Sequence, residues 1–204
     1  MADTSEITLE FFYEFASTYS YLSAMRIAAL AASHGARVQW RPFLLGPIFR
    51  DQGWQDSPFK LYPVKGRYMW RDLERRAARY GLPFRRPSQF PRNGLLAARL
   101  ALLGTREGWG AEFSRRVYAA NFVQDLDIGE ASVLRNILRD LGRDAEAVLE
   151  LAQGEEVKAA LRAQTERAKG LGIFGAPSFM VGSELFWGDD RLEDALEWRA
   201  GKGP

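Results

Sequence analysis

Apolar residues run almost unbroken from Ile7 to Phe15 (ITLEFFYEF), the pattern of a strand covered on both faces. Ser17 then stands as an N-cap for a helix predicted over Thr18–Ser33, and Gly35 closes it. A second strand is predicted over Arg37–Leu45, with Pro42 placing its end near a sheet edge. Residues 46–65, rich in Gly, Pro and Trp, read as a long loop of the kind that often carries function. From 66 to 170 the period is helical almost throughout. Met69, Trp70, Leu73, Ala77 and Tyr80 form one stripe, and further helices are predicted over Leu95–Leu103, Ala111–Phe122, Ala131–Leu141 and Ala145–Gly170. The pattern then returns to strands. Ser178–Val181 and Glu184–Trp187 flank Gly182-Ser183 as a hairpin, and Asp190–Arg199 reads as a closing helix. The order is β-α-β, a helical block, then β-β-α.

Composition narrows the chemistry. The hydrophobic share of 47% over 204 residues suits a chain with a sizeable core, as one large domain or two lobes. A net charge of +2 gives no strong field toward nucleic acid or a membrane. There is no cysteine, so disulfides and every mechanism using the protein's own thiol are excluded. A single histidine cannot rebuild a zinc site. The acidic start MADTSEITLE lacks the basic, apolar make-up of a signal peptide, and no apolar run is long enough for a membrane span. The expectation is a cytoplasmic protein without a metal.

Three familiar motifs fail on context. Gly170-Leu171-Gly172-Ile173-Phe174-Gly175 fits the G-x-G-x-x-G string, but a helix precedes it and a strand follows, the reverse of a dinucleotide fingerprint. A serine hydrolase would need His34 as its base. His34 lies 17 positions beyond Ser17 on the same predicted helix, about 25 Å away at ~1.5 Å per residue. It fits better as a partner for its own helix C-terminus. The stripe Arg71, Arg75 and Arg79 is diluted by Asp72 and Glu74, with an i,i+4 pair expected between Asp72 and Arg76, so it reads as a solvated face.

The turn Ser17-Thr18-Tyr19-Ser20 is more specific. A thioredoxin-like protein carries Cys-x-x-Cys at this place, and here serines stand at both positions. A helix N-terminus offers free N–H groups and partial positive charge, and Ser17 adds a hydroxyl donor. Such a site can stabilise a thiolate that arrives on a ligand. Ala176-Pro177-Ser178 reads as a turn before a strand, and the ~5–6% frequency of cis X–Pro bonds favours trans. Phe186-Trp187-Gly188-Asp189-Asp190-Arg191 reads as a strand end passing into an N-cap, with first-turn acids able to take an ammonium.

The runs FFYEFASTYSYL, PVKGRYMWRDLERRAARYGLPFRRPSQFPRNGLLAARLALL and GIFGAPSFMVGSELFWGDDRL together resemble the 2-hydroxychromene-2-carboxylate isomerases, relatives of the kappa-class glutathione transferases. The resemblance implies an α/β fold: a thioredoxin-like domain (1–46 and 166–204) with an inserted all-helical domain (47–165), as in DsbA-like proteins. It implies glutathione as cofactor and commonly a homodimer. It implies that Ser17 faces the glutathione sulfur as the catalytic residue and that Ala176 and Pro177 form a cis-proline loop pairing with the cysteinyl backbone. Asp189 and Asp190 then hold the γ-glutamyl head, and Lys65 approaches the glycyl carboxylate. Arg50 and Asn93 are candidates for the substrate carboxylate. Thr18 stands where proline usually follows the serine, Asp189 where Asn or Ser is common, and Gly94 where Thr or Ser is common. The activity so implied is glutathione-dependent cis-trans isomerisation of a conjugated 2-oxo acid. A kappa-like transferase that consumes glutathione and a non-catalytic peptide-binding module are the alternatives.

Overall fold

The computed structural model describes residues 8–201. The acidic segment 1–6 and Ile7, the expected start of the first strand, lie outside them. Strand β1 is Leu9–Tyr13, and its near-continuous apolarity is explained by its neighbours. It lies second in a four-stranded sheet of order β2-β1-β3-β4, parallel to β2 (Val38–Pro42) and antiparallel to β3 (Ser178–Val181), which pairs with β4 (Glu184–Trp187). Leu9, Phe11 and Tyr13 enter the large core, whereas Phe12 joins a smaller one with Phe43, Ile48 and Met180. Both faces are therefore covered.

β1 ends two residues before the expected Phe15. The Glu14 carbonyl turns to accept the Ser17 N–H at 3.0 Å, and the Glu14 side chain takes the Ala16 N–H at 3.0 Å, so the backbone leaves the ladder. Helix α1 (Thr18–Ser33) has the predicted bounds, with Ser17 accepting the Ser20 N–H as N-cap. His34 caps its C-terminus, its Nδ1 2.8 Å from the Leu30 carbonyl oxygen. β2 stops at Pro42 on the sheet edge, as a residue without an N–H requires.

The expected loop at 46–65 is mostly helix. α2 (Leu45–Asp51), α3 (Pro58–Leu61) and the start of α4 (Pro63–Arg79) occupy it. The prolines that read as loop punctuation stand in first turns, where the missing N–H has no partner to lose. In α4, Met69, Trp70, Leu73 and Ala77 are buried as predicted, while Asp72 accepts the Tyr19 hydroxyl at 2.9 Å instead of pairing with Arg76. α5 (Leu95–Glu107), α6 (Gly110–Phe122) and α7 (Ala131–Asp140) follow the period. The stretch 145–170 divides at extended Gly154 into α8 (Ala145–Gln153) and α9 (Glu155–Gly170). The closing helix is delayed by a 3-10 turn at Asp189–Arg191, after which α10 runs Leu192–Arg199.

α6 binds the helical block to the sheet by polar contacts inside the core. The Tyr13 and Ser114 hydroxyls are 2.7 Å apart, Tyr118 donates to the Glu14 carbonyl at 2.9 Å, and Asn121 donates to the Phe15 carbonyl at 3.2 Å. Tyr118 and Asn121 thus bond carbonyls of the turn that leads from the strand into α1.

The α3–α4 corner allows a test. A Cβ at Gly66 would stand 2.3 Å from the Phe59 carbonyl oxygen. Gly to Ala inside a helix usually gains up to ~1 kcal/mol. Here overpacking against backbone reverses the sign, and Gly66→Ala is expected to destabilise by about 1–3 kcal/mol. Urea unfolding of the two proteins measures it, and a stabilised variant would contradict the packing described.

Candidate functional site

The end of β1 delivers Ser17 to the mouth of α1, and the end of the α9–β3 connection delivers Ala176-Pro177 beside it. The Ser17 hydroxyl donates to the Ala176 carbonyl at 2.9 Å across 159 positions of sequence. The Ala176–Pro177 bond is cis, against the base rate for X–Pro bonds. Tertiary contacts hold that isomer: the Ser17 bond on one side and the Gly188 N–H on the Pro177 carbonyl at 3.0 Å on the other. The Ala176 N–H has no partner among the described residues.

This corner is the floor of a cleft of about 1640 Å³. Every site residue named from sequence lines it: Ser17, Arg50, Lys65, Asn93, Ala176, Pro177, Asp189 and Asp190. They differ in what each is free to do. Asp190 is exposed, in a surface ion pair with Arg191 at 3.2 Å. Gly188 ahead of it has φ 112° and leaves room for the Asp190 carboxylate, whose Oδ1 would lie 2.6 Å from a Cβ there. Asp189 is 3% exposed. Its Oδ1 accepts from Ser23 at 2.8 Å and Arg26 at 3.1 Å, and its Oδ2 has no partner. Burial pushes its carboxyl up in spite of Arg26.

The helical side of the cleft is cationic and aromatic. Arg50 and Lys65 have no ion-pair partner among the described residues, and the Lys65 ammonium lies 4.8 Å over the Tyr62 ring. Phe49 and Trp54 pack at 5.5 Å, and both line the cleft. Asn93 uses its side-chain oxygen to accept the Leu95 N–H at 3.0 Å at the start of α5. Glu14 also lines the cleft, and burial pushes its carboxyl up to about 7. Reading the sequence for motifs missed it. The signal available was an acid at the end of an otherwise apolar strand, three positions before the N-cap serine. Among the described residues no group of three metal-ligating side chains occurs, and no helix is long and apolar enough to cross a membrane.

The profile of the DSBA-like thioredoxin domain matches residues 8–197. The chain belongs to that family. Curated relatives that it matches carry the names of two kinds of enzyme. The 2-hydroxychromene-2-carboxylate isomerase of Sphingobium xenophagum is 28% identical over 91% of this chain and 94% of its own. Glutathione S-transferase kappa 2 of Caenorhabditis elegans is 28% identical over 96% of this chain and 94% of its own. A solved structure of 2-hydroxychromene-2-carboxylate isomerase superposes with a TM-score of 0.86 at 25% identity, over 96% of this chain and 95% of that one. The fold expected from sequence, a DsbA-like thioredoxin fold carrying extra helices, therefore stands.

The two aspartates are expected to separate by stability. Arg26, 11% exposed, is the cation beside buried Asp189 and also lies 3.7 Å over the Tyr80 ring. Arg26→Ala leaves a buried carboxylate unpaired and is expected to cost about 3 kcal/mol. Asp190→Ala, at an exposed pair, is expected to change stability by no more than ~0.5 kcal/mol. Chemical denaturation distinguishes them, and equal losses would refute this division.

Proposed function

We propose that the protein is a glutathione-dependent isomerase of conjugated 2-oxo acids. The observation that carries the reading is the corner where the Ser17 hydroxyl, the α1 N-terminus and the Ala176-Pro177 loop meet in a chain without cysteine. A site shaped for a thiolate, in a protein that has none, calls for a thiol supplied by a ligand.

The free groups of the cleft match glutathione piece by piece. The unpartnered Ala176 N–H and the Ala176 carbonyl offer an edge to the cysteinyl backbone. Asp190, and the orphaned Oδ2 of Asp189, suit the γ-glutamyl ammonium. Lys65, without an acidic partner among the described residues, suits the glycyl carboxylate. Bound there, glutathione supplies a sulfur nucleophile able to add reversibly to a conjugated carbon–carbon double bond. The Ser17 proton now spent on the Ala176 carbonyl is redirected to that sulfur as the carbonyl takes a ligand N–H, and the α1 N-terminus adds its partial charge. Ligand pockets commonly measure ~300–1,000 Å³, so the larger volume here leaves room for a second molecule beside the tripeptide. Arg50 and Asn93 are the groups placed to meet that molecule's carboxylate, against Phe49 and Trp54. A cytoplasmic homodimer belongs to the same reading, and light scattering measures the assembly.

Incubation with 2-hydroxychromene-2-carboxylate is expected to give turnover that needs glutathione but leaves its amount unchanged. Accumulation of a conjugate instead would favour the transferase reading, which the equally similar kappa relative keeps open. No glutathione affinity in calorimetry would leave only a binding module.

Ser17→Ala is expected to raise the pKa of bound glutathione and slow turnover about 10²-fold, because one donor to the anion is lost while the helix end remains. The ultraviolet absorbance of the thiolate, titrated against pH, reports the shift without an activity assay. Coincident curves for variant and wild type would reduce Ser17 to a helix cap. Asp190→Ala is expected to weaken glutathione binding roughly ten- to a hundred-fold, the effect of losing a charge-assisted hydrogen bond. Unchanged affinity would remove Asp190 from the site.

A further inference from the structure

Glu14, half-buried in the wall of the cleft, is a titratable group that no part of the reading above uses. Its side chain leaves the end of β1 and folds back over the turn into α1, where Oε2 accepts the Ala16 N–H at 3.0 Å. Oε1 accepts no hydrogen bond from the described residues, and Glu14 lines the cleft. It lies 3.2 Å from where a Cβ on Gly94 would stand, in a gap between that turn and the start of α5. A side chain at 94 would crowd both the carboxyl and the Phe15 Cβ, 3.1 Å away. Glycine at this position, a departure from the related pattern, leaves the carboxyl its opening. Glu14 thus lies between the turn that carries Ser17 and the segment that carries Asn93.

We propose that Glu14 is a catalytic acid–base residue, giving a proton to the carbonyl oxygen of the conjugated substrate and taking it back within the same turnover. The role rests on the isomerase reading. Addition to the far end of a conjugated system drives an electron pair onto the carbonyl oxygen. That pair forms an O–H bond with the Glu14 proton and leaves Glu14 as a carboxylate. On reversal the carboxylate removes the same proton, the O–H pair returns to the carbonyl, and no proton is gained or lost overall. Such a role needs a group present as both acid and base near neutrality.

The surroundings supply this. Tyr118 of α6 faces Glu14, but its hydroxyl is spent on the Glu14 main-chain carbonyl. Tyr13 precedes it on β1, with its hydroxyl beside Ser114. Arg92 is the nearby cation on the 90–94 segment, and it is turned toward Asp125 and Asn121. With no cation paired to it among the described residues, burial outweighs the Ala16 and Ser17 N–H groups and leaves the Glu14 carboxyl at about 7.

Glu14→Gln keeps the acceptor for the Ala16 N–H and removes the proton. The expected result is a fall in kcat of at least about a hundredfold, with unchanged glutathione affinity by calorimetry. The wild-type decline in kcat as pH rises through about 7 should be missing from the variant. A second readout needs neither glutathione nor turnover. The folded carboxyl titrates near 7 and the unfolded one near 4.5, so its protonated form favours the fold. That contribution is full below about 4.5 and is lost as pH rises to about 7, so wild type should lose melting temperature relative to Glu14→Gln across this window. In wild type alone, a carboxylic C=O infrared band should persist at pH 6. A variant within threefold of wild type with the same pH limb overturns the role of Glu14 and leaves the isomerase standing. Parallel melting curves, or no such band, overturn it independently. Wild type that binds glutathione without turning over 2-hydroxychromene-2-carboxylate overturns the isomerase reading and this role together.

Discussion

A single hydroxyl joins the two ends of this fold. Ser17 caps α1 through the Ser20 N–H and donates to the Ala176 carbonyl, fixing the start of the first helix against the loop that opens the returning hairpin. The hydroxyl has one proton, and that proton serves the Ala176 carbonyl in the free protein. A ligand that satisfies the carbonyl from outside releases it. On the proposed reading, structural and chemical duties fall on the same atom at different times, and the second begins when the ligand takes over the first.

That floor would be weak if the helical block were only a cover. The strand turns into α1 over Glu14–Ala16, where no neighbouring strand can take up the main chain. α6 reaches in with Tyr118 and Asn121 to accept that duty, and Tyr13 meets Ser114 beneath them. A buried carbonyl without a partner costs about 1–3 kcal/mol. Anchoring the turn from two sides keeps it rigid enough to aim an N-terminus and a side chain at one point. The helices thus contribute walls to the cleft and also the geometry of its floor.

Much of this was legible. The Ser17 cap and Gly35 fixed α1 to the residue, and two-residue spacing gave the hairpin, because both signals are local. The stretch 46–65 was misread because Pro58 and Pro63 mark first turns as readily as loops, and only packing decides between them. The cis bond depends on partners 159 and 11 positions away, which a base rate does not see. All eight candidate residues reach one cleft, yet adjacent Asp189 and Asp190 were expected to act together. Their different burial follows from Ser23 and Arg26 on α1, a contact 166 and 163 positions long. Glu14 was passed over because an isolated acid on a strand carries no spacing signal.

Two carboxyls of this cleft are withdrawn from water, Asp189 buried and Glu14 half-buried, and their surroundings set them apart. Burial pushes both upward. Asp189 has a guanidinium at 3.1 Å and a serine hydroxyl at 2.8 Å, which favour its charged form and lock it in place. Glu14 lines the cleft with no cation beside it among the described residues, only the backbone N–H groups of Ala16 and Ser17. A charge with a matched partner is a structural element, because moving its proton would break the pair. An acid without one exchanges its proton at little cost near the pH where it is half ionised. Desolvation alone would make both groups neutral, so the division between them is drawn by Arg26. Placing that cation midway along α1, beside Asp189 and away from Glu14 at the helix mouth, keeps one carboxylate fixed and leaves the other free to titrate.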